Sequence, residues 1–254
     1  MLEVRGAWYS YGGADALRDV TASFGRAQLV ALTGPNGSGK STLLKLLARV
    51  LAPHDGDVVF DGRSLRDWPP KEYAKRAGYL PQDPDPTFSM RALDVVVSGR
   101  APFLGRFAWE SAADYDEAAG ALALCDAAHL AERYLDEMSG GERKRVFLAR
   151  VLAARPSVIL LDEPLASLDL SHVQQFSALL RDIVDGTGAT VVYATHDLNW
   201  AAAYSDRMLV LDRGALAVDD TPREVMRPDR IRALFGFDAE VLEGAGRPWL
   251  VPKR

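Results

Sequence analysis

The segment Gly34-Pro35-Asn36-Gly37-Ser38-Gly39-Lys40-Ser41-Thr42 has the residue types and spacing of a loop that wraps a polyphosphate, with Gly34, Gly39, Lys40 and Ser41 at the required offsets. Glycines let backbone N–H groups close around phosphate oxygens, and a helix beginning at the end of the loop adds the positive end of its dipole. Gly34, Asn36, Gly37, Ser38, Gly39 and Thr42 therefore form the candidate cradle. Lys40 is the cation that reaches the terminal phosphates, and the Ser41 hydroxyl sits on magnesium. A turn that only starts a helix would not require a lysine and a hydroxyl at these positions.

A second group of residues closes the apolar run Val158-Ile159-Leu160-Leu161-Asp162-Glu163-Pro164. A strand buried on both faces reads as such a run, and acids at its carboxyl end stand where parallel sheets bind ligands. Successive strand side chains point in opposite directions, so the two acids can take separate tasks. Asp162 suits magnesium, directly or through its water shell. Glu163 suits an attacking water, as general base or polarising group.

The third group is Met138-Ser139-Gly140-Gly141-Glu142, ahead of a helix that runs to about Ala154. Ser139 and Glu142 make a capping-box pattern. Two glycines in a first helical turn cost stability, and close approach of an anion to bare N–H groups gives them a purpose. The Ser139 oxygen can accept from the backbone while its proton points to a phosphate. Arg143, Lys144 and Arg145 read as a solvated face.

The elements that must position these groups are strands and helices in alternation. Val4–Tyr11 and Ala16–Phe24 read as N-terminal strands, Leu29–Leu32 as the strand before the glycine-rich loop, and Leu43–Leu47 as the helix after it. Val58–Phe60 and Tyr79–Leu80 are short strands. Residues 91–135 turn helical and alanine-rich, locally ambiguous at Leu93–Val97 and broken by Arg100-Ala101-Pro102-Phe103-Leu104-Gly105. Ser157–Leu161, Ala189–Tyr193 and Met208–Leu211 read as strands, and Leu168–Asp185 and Leu198–Tyr204 as helices. This is an α/β pattern with a parallel sheet and helices on both faces.

Composition narrows the class. The 254 residues suffice for one large domain or two small ones, and 48% hydrophobic content suits a packed core. The apolar runs are too short to span a membrane, and nothing after Met1 resembles a signal peptide. Cys125, the single cysteine, reads as a core residue, and the four histidines lack metal-ligand spacing. A net charge of −5 speaks against a general nucleic-acid binder. The expectation is a soluble, cytosolic chain.

Together these motifs resemble the ATP-binding subunits of ATP-binding cassette (ABC) transporters, along nearly the whole chain. The family signature LSGGQ stands here as MSGGE, with Met138 and Glu142 departing mildly. Gln82 in Tyr79-Leu80-Pro81-Gln82-Asp83 matches the Q-loop glutamine, Ser167-Leu168-Asp169 the D-loop, and His196 in Ala194-Thr195-His196-Asp197 the switch histidine. Tyr11 in Tyr9-Ser10-Tyr11-Gly12-Gly13 matches the aromatic that stacks on adenine, with Tyr9 and Trp8 as competitors. The resemblance implies a P-loop NTPase fold with an N-terminal antiparallel β subdomain. It also implies a catalytic core of residues 1–90 and 136–254, a helical subdomain near 91–135, and a C-terminal extension over 214–254.

By the same resemblance, two copies face each other head to tail. ATP and Mg2+ held by Lys40 and Ser41 of one copy are closed over by Ser139, Gly140 and Gly141 of the other, with Asp169 at the interface. Asp162, Ser41 and Gln82 belong to the metal side of the site, and Glu163, His196 and Gln82 to catalysis. The helical subdomain grips a polytopic permease, which places the chain on the cytoplasmic face of the inner membrane. Gly99-Arg100-x-Pro-x-x-Gly105 and a tail with Pro222, Glu224, Val225, Phe235-Gly236 and Pro248-x-x-Val251-Pro252 resemble importers of ferric siderophores, haem or cobalamin, although a generic helix-and-strand tail is an alternative. An importer of this kind works with a periplasmic or lipid-anchored binding protein. An exporter subunit shares every catalytic motif. A soluble repair or ribosomal cassette fits less well, for want of heptad insertions or a second phosphate loop, and a switch GTPase lacks its guanine-reading motif.

Overall fold

The computed structural model describes residues 1–84, 89–105, 107–166, 168–244 and 246–253. The N-terminal strands β1 (Leu2–Tyr11) and β2 (Ala14–Phe24) pair antiparallel. β3 (Leu29–Thr33) enters α1 (Lys40–Leu47) through the glycine-rich loop. β4 (Asp55–Phe60) and the short β5 (Arg63–Ser64) extend the first pair into a four-stranded sheet of order β2-β1-β4-β5. α2 (Pro70–Ala74) begins on a proline, where a missing N–H costs nothing, and leads to β6 (Ala77–Leu80).

A helical segment follows. The β-branched run that is ambiguous in sequence is α3 (Ala92–Val97), with Val95, Val96 and Val97 buried. A 3₁₀ turn over Ser98–Phe103 comes next, then α4 (Ala112–Leu124), opened by a full capping box between Ser111 and Asp114. The segment returns to its start: Arg91 pairs antiparallel with Tyr134, and Leu135 N donates to Met90 O at 3.0 Å. Cys125 is fully buried at the end of α4, and burial pushes its thiol up to about 12, so it packs rather than reacts.

The remaining chain is α5 (Gly140–Leu152), β7 (Val158–Asp162), α6 (Leu170–Thr187), β8 (Thr190–Ala194), α7 (Leu198–Tyr204), β9 (Arg207–Asp212) and β10 (Ala215–Asp220). A tail of α8 (Pro222–Val225), α9 (Pro228–Phe235) and the hairpin β11 (Ala239–Gly244)–β12 (Arg247–Pro252) ends it. Asn199 of α7 holds this tail, exchanging hydrogen bonds with Leu250 N and O at 2.7 and 3.1 Å.

The six-stranded sheet has the order β10-β9-β3-β8-β7-β6, parallel throughout except for β10 at its edge. β10 lies beyond what the sequence pattern predicts. It is reached through Arg213 and Gly214, both at positive φ, the conformation a tight hairpin turn requires. The central strands alternate between two cores. Leu29, Ala31, Ile159, Leu161, Val191 and Tyr193 face α3–α7. Val30, Leu32, Val158, Leu160, Val192 and Ala194 face α1 and the antiparallel sheet. Helices therefore cover both faces as expected, and α1 shares its face with the antiparallel sheet. No described helix is long and apolar enough to cross a membrane.

Candidate active site

The glycine-rich loop is shaped by its backbone. Gly34, Gly37 and Gly39 all have positive φ, at 137, 75 and 104°. A Cβ on Gly34 would lie 2.1 Å from Leu211 O, and one on Gly39 2.4 Å from Ala16 O, so neither position tolerates a side chain. Lys40 turns back into the loop and donates to Gly34 O at 2.9 Å and Pro35 O at 3.0 Å. Burial lowers its pKa, opposed by the charges of Glu163 and Asp162. Among the described residues Ser38 Oγ is buried without a hydrogen-bond partner, as suits a hydroxyl that lines a phosphate cradle.

Strand order brings the other motifs to the loop. Across β3-β8-β7-β6, the carboxyl ends lead in turn into the glycine-rich loop, His196, Glu163 and Gln82. Ser41 Oγ donates to Asp162 Oδ1 at 2.9 Å, and Tyr79 OH donates to the other oxygen at 3.3 Å. Burial, with Asp162 beside it, drives the Tyr79 hydroxyl's pKa upward. Gln82 Nε2 donates to Glu163 Oε2 at 3.3 Å, and His196 Nδ1 lies 3.8 Å from the same oxygen. Glu163 has φ 49°, the left-handed region that a non-glycine residue keeps only where its surroundings hold it.

These groups line one open cavity of about 700 Å3: Asn36 to Thr42 with Tyr11, Ala16, Gln82, Glu163 and His196. Tyr11 reaches it; Trp8 and Tyr9 do not. Tyr9 stacks on His54 at 4.7 Å and meets Tyr11 edge-on at 4.9 Å, so it buttresses the aromatic that lines the cavity. Gln82 thus meets the site through its amide nitrogen, on Glu163.

Ser139, Gly140, Gly141 and Asp169 are not among the cavity's lining residues. Ser139 caps α5 in a complete capping box, with Ser139 N donating to Glu142 Oε2 at 2.8 Å and Glu142 N to Ser139 Oγ at 3.3 Å. Those bonds hold the Glu142 carboxyl below its usual range. Among the described residues a Cβ on Gly140 would meet nothing within 4 Å; one on Gly141 would press on the His172 ring at 3.3 Å. Packing thus explains Gly141 and leaves Gly140 to another purpose. Asp169 caps α6, its Oδ1 accepting from His172 N, His172 Nδ1 and Ser171 Oγ, which holds its carboxyl at about 2. Ser167, its neighbour in the D-loop pattern, lies outside the described residues.

One sequence reading changes. The run Arg143-Lys144-Arg145 is not a uniformly solvated face. Arg143 is exposed, but Arg145 donates to Cys125 O at 3.1 Å and Gln175 Oε1 at 3.0 Å, and half-buried Lys144 donates to Ala166 O. A charge run carries no signal of which charges meet a neighbouring loop. Tyr79 is a further site residue that the sequence reading passed over, although its place two residues after the start of β6 sets its parity. The Gly99-Arg100-x-Pro pattern has structural work. A Cβ on Gly99 would lie 2.1 Å from Arg150 O. Arg100 binds Asp114 at 2.9 Å and Ala153 O at 3.0 Å, and lies 3.9 Å over the Phe103 ring.

A cradle for polyphosphate, a hydroxyl–carboxylate pair and a glutamate lining the same cavity are the site of an ATPase of the cassette type. Residues 17–166 match the ABC transporter family model, and the chain belongs to that family of ATP-binding, ATP-hydrolysing transporter subunits. It is 44% identical over 231 residues to the hemin import ATP-binding protein HmuV of Nocardia farcinica, covering 89% of this chain and 78% of that one. It is 35% identical over 257 residues to the petrobactin import ATP-binding protein FpuC of Bacillus anthracis, covering 100% and 93%. An ABC transporter assigned to the metal-chelate type, in an inward-facing conformation, superposes with TM-score 0.87 at 28% identity, covering 100% of this chain and 97% of that one. A dimeric ATP-binding cassette bound to ADP and Pi superposes with TM-score 0.74 at 28% identity, covering 88% and 99%.

Proposed function

We propose that this chain is the ATPase subunit of an importer that takes up a metal chelate, a haem, ferric siderophore or cobalamin. Two copies of it act head to tail on the cytoplasmic face of the inner membrane, beneath polytopic permease subunits and served by a periplasmic or lipid-anchored binding protein. The import readings of HmuV and FpuC and the metal-chelate neighbour support the cargo class. Residues 91–135 are the permease-facing subdomain, inserted between the core pieces 1–90 and 136–254, and 214–254 form the extension.

The observation that carries the two-copy reading is the separation of Ser139 and Gly140 from the cavity of their own chain. Their exposed helix start serves a phosphate only when a second copy presents one. Lys40 and the N–H groups of Asn36 to Thr42 hold the polyphosphate, and Tyr11 takes the adenine face. Magnesium fits the Ser41 hydroxyl and Asp162 carboxylate, hard oxygen donors within bonding distance of each other, and when bound it neutralises phosphate charge. Gln82 is the link from this metal side to the helical segment. Glu163 accepts the proton of the attacking water. His196 contacts the terminal phosphate, and Asp169 meets the partner copy.

The test is copurification with a permease followed by transport in sealed vesicles. Uptake of one of the three chelate classes, dependent on ATP on the cytoplasmic side and abolished by Glu163→Gln, is expected. ATP-driven transport in the opposite direction overturns the import reading.

A further inference from the structure

We propose that Lys144 is a positioning residue for ATP hydrolysis, holding the loop that carries Glu163 from the helix that begins at MSGGE. The proposal rests on the ATPase reading of the Glu163 site and adds a residue to it. Lys144 Nζ donates to Ala166 O. Ala166 is also the residue that closes the turn on the glutamate, its N–H donating to Glu163 O at 3.1 Å. The ammonium therefore grips the far side of the turn that follows Glu163.

Glu163 needs such a grip. Its φ of 49° is unfavourable for a residue with a Cβ, and backbone conformations of this kind persist only where the surrounding structure over-determines them. Its carboxylate is touched by Gln82 and approached by His196, both side chains on separate loops. Neither contact fixes the backbone. Pairing of β7 with β8 holds the backbone up to Asp162, and the Lys144–Ala166–Glu163 chain holds the turn that follows.

Burial argues that the contact is not incidental. Lys144 is half-buried, and desolvation of its ammonium lowers its pKa; the charges of Asp83 and Glu163 act in the opposite direction. Taking an ammonium out of water is costly unless it is hydrogen-bonded and compensated, and here both conditions come from the catalytic neighbourhood. Asp83 follows Gln82 directly, so the cation stands between the Q-loop, the Glu163 loop and its own helix. Gly140 and Lys144 are four residues apart on α5 and share a face one turn from each other. A displacement of the signature end of α5 therefore moves the group that holds the Glu163 turn.

The experiment compares full-length wild type with Lys144→Met, Lys144→Gln and Lys144→Arg, alongside Glu163→Gln, by steady-state Mg-ATP hydrolysis, equilibrium ATP titration and thermal unfolding. Lys144→Met keeps the stem and loses the donor; kcat is expected to fall by about tenfold, well within the loss that a misplaced catalytic group produces. KM and ATP affinity stay within about twofold, since uniform binding is untouched. Lys144→Gln and Lys144→Arg still reach Ala166 O and restore more than half of the wild-type kcat. Wild-type kcat in Lys144→Met, or Lys144→Gln no better than Lys144→Met, overturns the proposal. If Lys144→Met does not fold, the Gln and Arg variants decide: either one at a tenth of wild-type kcat or lower, with unchanged melting, overturns it. Full turnover in Glu163→Gln would instead overturn the underlying assignment of the base.

Discussion

Ser41 Oγ lies 2.9 Å from Asp162 Oδ1, although 121 residues separate the two in sequence. The bond stitches the first turn of α1 to the end of β7, so the phosphate loop and the acid-ended strand meet on two neighbouring oxygen donors. Asp162 is nearly inaccessible to solvent, and its second oxygen is taken by Tyr79. A buried carboxylate bonded on both sides cannot wander, which leaves Glu163, the next residue, as the carboxylate that faces the cavity.

Glu163→Gln is expected to retain ATP binding and lose turnover by ~10²–10⁴, the span typical for loss of a general base. The amide preserves the bonding reach toward Gln82 and His196 while removing the proton acceptor. Single-turnover hydrolysis checks it, and a rate close to wild type would exclude Glu163 as the base.

Lys40→Ala should weaken nucleotide binding itself. The ammonium now satisfied by Gly34 O and Pro35 O is exchanged onto phosphate oxygens when nucleotide binds, in ground and transition states alike. An ATP-Mg titration measures this; unchanged affinity contradicts the assignment.

Tyr11→Ala should cost ~1–3 kcal/mol of ATP affinity if base stacking on aromatics in nucleic-acid binding is a guide. Trp8→Ala, outside the cavity, should leave affinity near wild type. Tyr9→Ala should have an intermediate effect, because it removes only the ring that buttresses Tyr11. Equal losses for Trp8 and Tyr11 would show that the wrong ring has been chosen.

Gly140→Asp places a carboxylate at an open position on the exposed start of α5. In a Glu163→Gln background the chain should dimerise on addition of ATP, and adding Gly140→Asp should abolish that dimer while leaving ATP binding by the monomer within about twofold, because like charges repel across the shared phosphate. Analytical ultracentrifugation with and without ATP reads both. A double mutant that dimerises as well as its parent removes MSGGE from the composite site.

Asp114 gives a pH-dependent test of the helical segment. Hydrogen bonds from Ser111, then Arg100, hold its carboxyl at about 2, below the ordinary 3.8. A depressed carboxylate stabilises the fold above its unfolded pKa, and that stabilisation is lost as pH falls through the folded value. Wild type should thus lose stability between about pH 4 and 2 more steeply than Asp114→Asn, which should be the less stable protein at pH 7. Urea midpoints across this range measure both; parallel pH dependence in the two proteins would show that the Ser111–Asp114–Arg100 contacts contribute nothing.

The local chemistry of this protein was written in residue types and short spacings. The phosphate loop, the acid-ended strand and the capping box of MSGGE need only neighbours in sequence, because a turn, a strand end and a helix start are each specified by a few adjacent residues. Regular hydrophobic patterning likewise announced β3, β7, β8 and α7. Tertiary structure decided what required distant partners. The order β3-β8-β7-β6 put Gln82, Glu163 and His196 beside Lys40. Packing selected Tyr11 over Tyr9 and Trp8 as the ring at the cavity, and set half-buried Lys144 against Ala166 within a run of charges that reads as solvated. β10, half-exposed at a sheet edge, carries too weak an apolar pattern to announce itself and takes its shape from pairing with β9. The β9–β10 hairpin apart, the determining contacts join segments far apart in sequence, and spacing along one segment holds no record of them.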